Sequence, residues 1–162
     1  MMRWLQATVV IVVTVFIALA LTVAPIPNWA AALWPPWVAL VVFYWAIALP
    51  EFFGVLIAWV VGLLMDALTG TPLGAHALAL TLVAFVAARA PLKLQGSLLW
   101  QQSVTLGFAL VLYAFALFWI GGLTGALTRP LAQFMPVLIG AALWPWVFPV
   151  MRGIRRLIVV TA

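Results

Sequence analysis

Most of the side chains that could do chemistry lie in one short stretch, GLLMDALTGTPLGAHAL at residues 62–78. It contains Asp66, one of the two acidic residues of the chain, and His76, its only histidine. A carboxylate and an imidazole on either side of a turn can form a hydrogen-bonded pair, and histidine titrates near neutral pH. A proton relay would need more ionisable groups along a path, and Glu51 is the only other acid. For His76 we therefore favour a polar contact between helices over a proton relay.

Asp66 is followed by a turn that contains Gly70, Pro72 and Gly74. Short aspartate side chains accept hydrogen bonds from nearby backbone N–H groups, and glycine permits a positive φ. An acid inside a membrane is also a functional candidate, because burying its charge is costly. Two interpretations stay open for Asp66: a carboxylate that orders the turn, or a contact to a ligand or a partner.

Several classes of chemistry are excluded by residues that the chain lacks. Without cysteine it has no disulfide, no thiolate nucleophile and no cysteine-ligated metal. One histidine and two carboxylates far apart in sequence are too few for an ordinary zinc site. Ser97 and Ser103 lie in no nucleophile motif, and there is no glycine-rich phosphate loop after a strand. We therefore predict no enzymatic activity, no metal and no cofactor.

The composition indicates how these residues must be positioned. Hydrophobic residues make up 69% of the 162 residues and charged residues 6%, whereas soluble domains carry about 25% charged residues. Apolar runs of about 20 residues span the roughly 30 Å hydrocarbon layer, and several such runs fit here. The net charge of +5 comes from basic residues at segment ends and forms no patch, so nucleic acid is not a predicted partner. We predict an all-α, multi-pass membrane protein.

A single transmembrane domain of six helices is predicted over residues 1–162. The predicted helices cover 4–24, 36–49, 52–66, 73–88, 99–123 and 131–150, and a basic tail follows at 151–162. The second and third segments are about 15 residues, or about 22 Å, long, which is short for a full crossing. They form either two thin crossings or a re-entrant hairpin that protein shields from lipid. The first segment starts like a signal peptide, but its apolar run is about 20 residues long, so we expect an uncleaved helix.

Basic residues predict the orientation of these helices, because cytoplasmic loops carry an excess of lysine and arginine. With six crossings and a cytoplasmic N-terminus, only Arg129 lies outside. The residues placed inside are Arg3, Arg89, Lys93, Arg152, Arg155 and Arg156. Both termini are therefore predicted to be cytoplasmic, and the stretch 62–78 is placed at the outer face.

Small residues at helical spacing predict close contacts between helices. Ala58 and Gly62 are separated by three residues in the third segment, and Gly121 and Gly125 repeat the spacing at the end of the fifth. Such pairs let two helix backbones approach closely in a membrane. We expect packing within the chain, with a face for a partner's helix as the alternative.

Other polar groups lie at the predicted cytoplasmic side. Gln101 and Gln102 begin the fifth helix, where they either hydrogen-bond another helix or are solvated at the interface. The tail with Arg152, Arg155 and Arg156 can lie on the inner leaflet beside anionic membrane lipids. We favour the simpler interpretation that these arginines fix the topology.

Four strings in this order resemble the MreD family of rod shape-determining proteins, of the proteobacterial type. They are PPWVALVVFYWAIALPE, GLLMDALTGTPLGAHALAL, LWQQ and ALWPWVFPVMRGIRR, and together they extend over nearly the whole chain. The positions that match the family are Asp66, Gly70, Pro72, Gly74, Trp100, Gln101, Gln102, Trp144, Pro145 and Trp146. The resemblance brings no catalytic residue with it.

The resemblance implies a non-enzymatic subunit of the cell-elongation machinery in the bacterial inner membrane. Proteins of this family partner with MreC, a single-span protein, and link MreB filaments to the RodA glycosyltransferase and a penicillin-binding transpeptidase. The implied fold is a compact bundle similar to the S-components of energy-coupling vitamin transporters. That likeness suggests an alternative, a small-molecule-binding transporter subunit, which would need a polar pocket near Asp66 and His76.

Overall fold

Prolines and glycines divide the apolar chain into six helices in the computed structural model, which describes residues 2–27, 30, 33–90, 98–125 and 134–160. The helices are α1 (Met2–Val23), α2 (Trp37–Ala48), α3 (Val55–Thr69), α4 (Ala75–Arg89), α5 (Leu99–Thr124) and α6 (Met135–Val160). Helix α2 starts directly after Pro36, where the missing N–H of a proline has no helical partner to lose. Helix α3 ends at Gly70, whose φ of 68° lies in the left-handed region that favours glycine. The described residues thus have the predicted helix count.

Some predicted helix bounds differ from the structure. Helix α6 continues to Val160, so the stretch predicted as a separate basic tail from residue 151 is helical. The prediction stopped the helix where its apolar span ends, but arginine is a good helix former, so Arg152, Arg155 and Arg156 continue α6. Helix α3 begins after Gly54, because the N–H groups of Phe52 and Phe53 form a turn by bonding to the Leu49 carbonyl. The predicted start of the sixth helix at 131, Lys93 and Arg129 lie outside the described residues.

Helix α2 lies at the centre of the molecule. Ten of its residues are buried, namely Val38, Ala39, Leu40, Val41, Val42, Phe43, Tyr44, Trp45, Ala46 and Ala48. A helix that is apolar on every side lies in a protein core or in lipid, and α2 is in the core, because α1, α4, α5 and α6 all pack against it. With 12 residues α2 is only about 18 Å long, and its neighbours shield it from lipid. Helix α3 packs mainly against α4, so the second and third segments do not form a closely packed hairpin.

Three of the described helices have the length and composition of membrane spans. The stretches Gln6–Val23, Leu99–Thr124 and Met135–Arg156 are long and apolar enough to cross a membrane. Large apolar side chains on their outer faces are exposed, including Phe16 on α1 and Phe108 on α5. Such a surface is stable against acyl chains and unfavourable in water. The fold is therefore that of a helical membrane protein.

The contacts between helices define two ends of the bundle. The indole N–H of Trp34 donates to the Leu21 carbonyl at 3.0 Å, which places the end of α1 beside the start of α2. The opposite end of α2 shares a cavity with the C-terminal part of α6. We call the end with the α3–α4 turn at residues 70–74 the turn end. We call the other end the basic end, because it contains Arg89, Arg152, Arg155 and Arg156.

The closest approach of two helices is between α3 and α4, at Gly62. A Cβ atom there would overlap the Ala77 Cα and would lie 2.7 Å from the His76 carbonyl oxygen. Ala58, one turn earlier on α3, is fully buried. The predicted small-residue face of the third helix thus packs inside the chain. The sequence analysis missed Gly140, where a Cβ atom would lie 2.8 Å from the Leu110 Cδ1 atom.

We expect Gly62→Ala to destabilise the protein by about 1–3 kcal/mol, because the added methyl group meets backbone that cannot turn away. Denaturant unfolding in detergent, followed by circular dichroism, measures the change. The control is Gly107→Ala on α5, whose new Cβ atom would meet the Ala141 Cβ at an ordinary 3.7 Å. Equal stability of Gly62→Ala and Gly107→Ala would contradict the close α3–α4 contact.

Candidate functional site

The Asp66 carboxylate is the centre of the polar cluster at the turn end. Its side chain is 0% exposed, and four donors surround it in addition to the His76 side chain. The Oδ1 atom accepts from the Thr71 hydroxyl at 2.8 Å and from the backbone N–H of His76 at 2.9 Å. The Oδ2 atom accepts from the N–H of Gly74 at 2.8 Å and from the N–H of Ala77 at 3.4 Å. Both oxygens are therefore engaged by the protein itself.

These backbone donors belong to the start of α4, so Asp66 caps α4 from the neighbouring helix. The first N–H groups of a helix have no acceptor within the helix, and a negative charge is stabilised there by the helix dipole. Gly74 occupies the N-cap position and has no side-chain oxygen that could accept hydrogen bonds from these N–H groups. Its φ of 101° and the φ of 68° at Gly70 are values that favour glycine, and they let the turn fold back onto Asp66. The cluster of Asp66 with the glycines is thus a capping site built across a turn.

His76 extends this site toward α5. Its Nδ1 atom lies 2.8 Å from Asp66 Oδ1 and 3.2 Å from the Thr71 hydroxyl. An ionised carboxylate only accepts hydrogen bonds, so Nδ1 carries the proton in the contact with Asp66. The imidazole ring packs at 6.2 Å from the Tyr113 ring of α5. His76 therefore joins three helices, as a polar contact between helices does.

This arrangement leaves the Asp66–His76 pair little capacity for another partner. The described residues contain no group of three or more His, Asp or Glu side chains that could hold a metal ion. Two cavities among the described residues, of about 340 and 380 Å³, are lined by neither Asp66 nor His76. The polar pocket that the small-molecule alternative requires near these two residues is not formed by either cavity.

The two neighbouring glutamines at the start of α5 have different environments, and only one of them forms a buried hydrogen bond to Trp144. Gln102 is buried, and its Oε1 atom accepts from the Trp144 indole N–H at 3.2 Å. Gln101 is exposed on the opposite side of α5. The Trp144 ring also packs edge-on against Phe43 of α2 at 5.3 Å. Gln102 and Trp144 therefore connect α5 and α6 to the central helix.

The other candidate residues lie apart from these two sites. Pro72 is exposed at the turn end, whereas Pro145 and Trp146 are exposed on α6. Gly121 is half-buried in α5. Gly125 ends α5 with a φ of 70°, so its role is to terminate the helix rather than to pack against another one.

The sequence analysis missed one further hydrogen bond between helices. The indole N–H of Trp45 donates to the Thr14 hydroxyl at 2.9 Å, and both groups are buried. The Thr14 hydroxyl can in turn donate to the carbonyl of Val10 or Ile11 in its own helix. A lone threonine in the middle of an apolar run was the available signal, because such a hydroxyl needs a partner in lipid. Thr71, which bonds to Asp66, lay within the quoted stretch but was not singled out.

We expect Asp66→Ala to destabilise the protein by at least about 2 kcal/mol, since each buried donor left unpaired costs roughly 1–3 kcal/mol. The loss should be local at first, with faster hydrogen exchange at the N–H groups of Gly74, His76 and Ala77. Hydrogen exchange by mass spectrometry in detergent and denaturant unfolding measure both effects. Glu51→Ala, which removes the other carboxylate at an exposed position, is the matched control. Unchanged exchange at the start of α4 would contradict the cap.

The sequence is similar to known proteins over most of its length. The family model for the rod shape-determining protein MreD matches residues 2–154. The curated rod shape-determining protein MreD of Haemophilus influenzae is 34% identical over 144 residues, which cover 86% of this chain and 86% of the relative. No solved structure matches the chain significantly, so the expected likeness to S-components stays a prediction. The chain belongs to the MreD family of rod shape-determining proteins.

Proposed function

We propose that this protein is a non-enzymatic scaffold subunit of a cell-elongation complex in the bacterial inner membrane. In this proposal it holds a single-span MreC-like partner and helps to couple MreB filaments to the RodA glycosyltransferase and the penicillin-binding transpeptidase. The family membership supports a role in rod shape. The resemblance of the sequence to the family supports the proposed partners and the proposed coupling.

The observation that carries the proposal is the use of the buried polar groups. Among the described residues, the buried polar or charged side chains are Thr14, Asp66, His76 and Gln102. Each of them takes part in a hydrogen bond between helices. Their polar atoms therefore stabilise the bundle, and the outer surface that remains for other molecules is mostly apolar. This distribution suits a protein that binds the membrane segments of its partners.

An apolar groove between α1 and α6 offers a place for the partner's helix. The groove has a volume of about 380 Å³, and part of α2 forms its floor. Its lining residues are Thr14, Ile17, Ala18, Leu21, Trp37, Val41, Leu143, Trp146, Val147, Val150, Met151 and Ile154. Helices in lipid associate through close packing and a few hydrogen bonds, because lipid is as apolar as their side chains. A groove whose side chains form two walls and a floor gives a single helix more packing contact than a convex surface does.

Disulfide crosslinking tests this placement directly, because the chain has no native cysteine. We expect Ile17→Cys and Val150→Cys, both exposed and in the groove, to crosslink to single cysteines along the span of the MreC-like partner. The control is Phe115→Cys, which is similarly exposed on the outer face of α5. Crosslinks formed in isolated membranes are measured by gel mobility and mass spectrometry. Equal crosslinking at Phe115, or none at the groove positions, would falsify the placement.

We also propose that the basic end faces the cytoplasm, with both termini on that side. The grouping of Arg89, Arg152, Arg155 and Arg156 at one end supports this orientation. A membrane-impermeant maleimide applied to spheroplasts tests it with single cysteines at two exposed positions. We expect Leu73→Cys at the turn end to react from outside and Gly153→Cys to react only after permeabilisation. The reverse pattern would contradict the orientation.

A further inference from the structure

A cavity at the basic end combines aromatic walls with a dense positive charge. It lies between the C-terminal end of α2 and the C-terminal part of α6, and its volume is about 340 Å³. The lining residues are Tyr44, Ile47, Ala48, Trp144, Phe148, Arg152, Arg155 and Arg156. The aromatic rings are close-packed, with Trp144 and Phe148 5.8 Å apart and Tyr44 and Phe148 5.9 Å apart. One wall of the cavity is therefore rigid and apolar, and the other carries three guanidinium groups.

The described protein does not neutralise this charge. The chain contains two acidic residues, and Asp66 is engaged at the opposite end of the bundle. Glu51 follows the end of α2, where it is exposed. Among the described residues, His76 and Asp66 form an ion pair, and Glu51 forms no ion pair with these arginines. Tyr44, which lines the cavity together with Arg155, is polar but uncharged.

The spacing of the arginines is suited to a shared anion. Arg152, Arg155 and Arg156 lie three and four residues apart, so they occupy one face of α6 and repel one another. A bound anion would remove that repulsion. The guanidinium group presents a planar fork of N–H donors that matches phosphate in bidentate geometry and is weakly hydrated. Tyr44, which also lines the cavity, adds a hydroxyl that can donate to a phosphate oxygen.

The position and size of the cavity indicate where the phosphate comes from. Arg152, Arg155 and Arg156 lie in the C-terminal part of α6. Basic residues of membrane helices collect near the ends of the helices, at the depth of the headgroups. Phosphates of lipid headgroups occupy this depth. The volume falls within the roughly 300–1,000 Å³ of small-molecule pockets, which is more than a bare phosphate ion needs. Fixing the topology alone requires basic residues, but it requires neither a cavity nor an aromatic wall.

We propose that this cavity binds the phosphate group of an anionic lipid headgroup through Arg152, Arg155, Arg156 and Tyr44. The guanidinium groups hold the phosphate oxygens. The ring of Phe148, which is only partly buried, covers the carbon atoms of the headgroup, and the buried Trp144 ring supports it from behind. The contact ties the C-terminal part of α6 and the end of α2 to one lipid molecule of the leaflet at the basic end.

Native mass spectrometry of the purified full chain in detergent tests the proposal with phosphatidylglycerol and phosphatidylcholine as probes. The choline headgroup carries its own cation, so it competes poorly for the arginines. We expect one phosphatidylglycerol molecule to be retained at least about tenfold better than phosphatidylcholine, which corresponds to about 1.4 kcal/mol. The triple variant Arg152→Gln, Arg155→Gln, Arg156→Gln should lose this preference, and Tyr44→Phe should weaken binding by a smaller factor.

The matched control is the triple variant Arg3→Gln, Arg89→Gln, Lys93→Gln, which removes the same amount of charge elsewhere. The proposal would be overturned if both triple variants lost lipid equally. It would also be overturned if the triple variant of the cavity arginines kept its preference for phosphatidylglycerol. Circular dichroism and elution volume check the fold, and single variants at the exposed Arg152 and Arg156 replace the triple variant if it does not fold. Inorganic phosphate serves as a soluble probe of the same chemistry. Arginine-dependent binding of inorganic phosphate without retention of the lipid would overturn the assignment to a lipid headgroup.

Discussion

The N-terminus of a helix at the edge of a membrane needs hydrogen-bond acceptors, and in this protein the acceptors for α4 come from one carboxylate on α3. Asp66 accepts from Gly74, His76 and Ala77, and its charge is stabilised by the dipole of α4. The same contact fixes the turn between the two helices and holds α3 close enough to α4 for Gly62 to touch Ala77. The costly burial of an acid is thus offset by several charge-assisted hydrogen bonds. The geometry of the turn end depends on this single side chain.

The rest of the bundle is stabilised with similarly few polar groups. Thr14 with Trp45 joins α1 to α2, and Gln102 with Trp144 joins α5 to α6. Together with the pair of Asp66 and His76, these bonds link consecutive helices two by two around the buried α2. Close packing must supply the remaining stability, because lipid offers no hydrophobic drive between helices. A protein built this way can leave nearly all of its outer surface apolar and still have one defined arrangement of helices.

The two ends of this MreD-family protein differ in chemistry. The turn end is internally satisfied and uses its charged groups for its own structure. The basic end carries arginines without a described acidic partner around an open cavity. Between them, the groove between α1 and α6 is lined in part by Trp37 and Val41 of the central helix. The described polar groups are thus concentrated at the two ends, and the groove between them is apolar.

Much of the fold class followed from the sequence alone. Composition and the length of the apolar runs determined a helical membrane protein with six helices, and four strings placed it in its family. The isolated polar residues Asp66 and His76 were recognised because each polar group in so apolar a chain needs a partner. Tertiary structure alone decided that α2 is central, that Gln102 is buried while Gln101 is exposed, and that α6 continues through its arginines. The physical reason is that helices which are apolar on every side carry no periodic pattern to indicate which face packs against which neighbour.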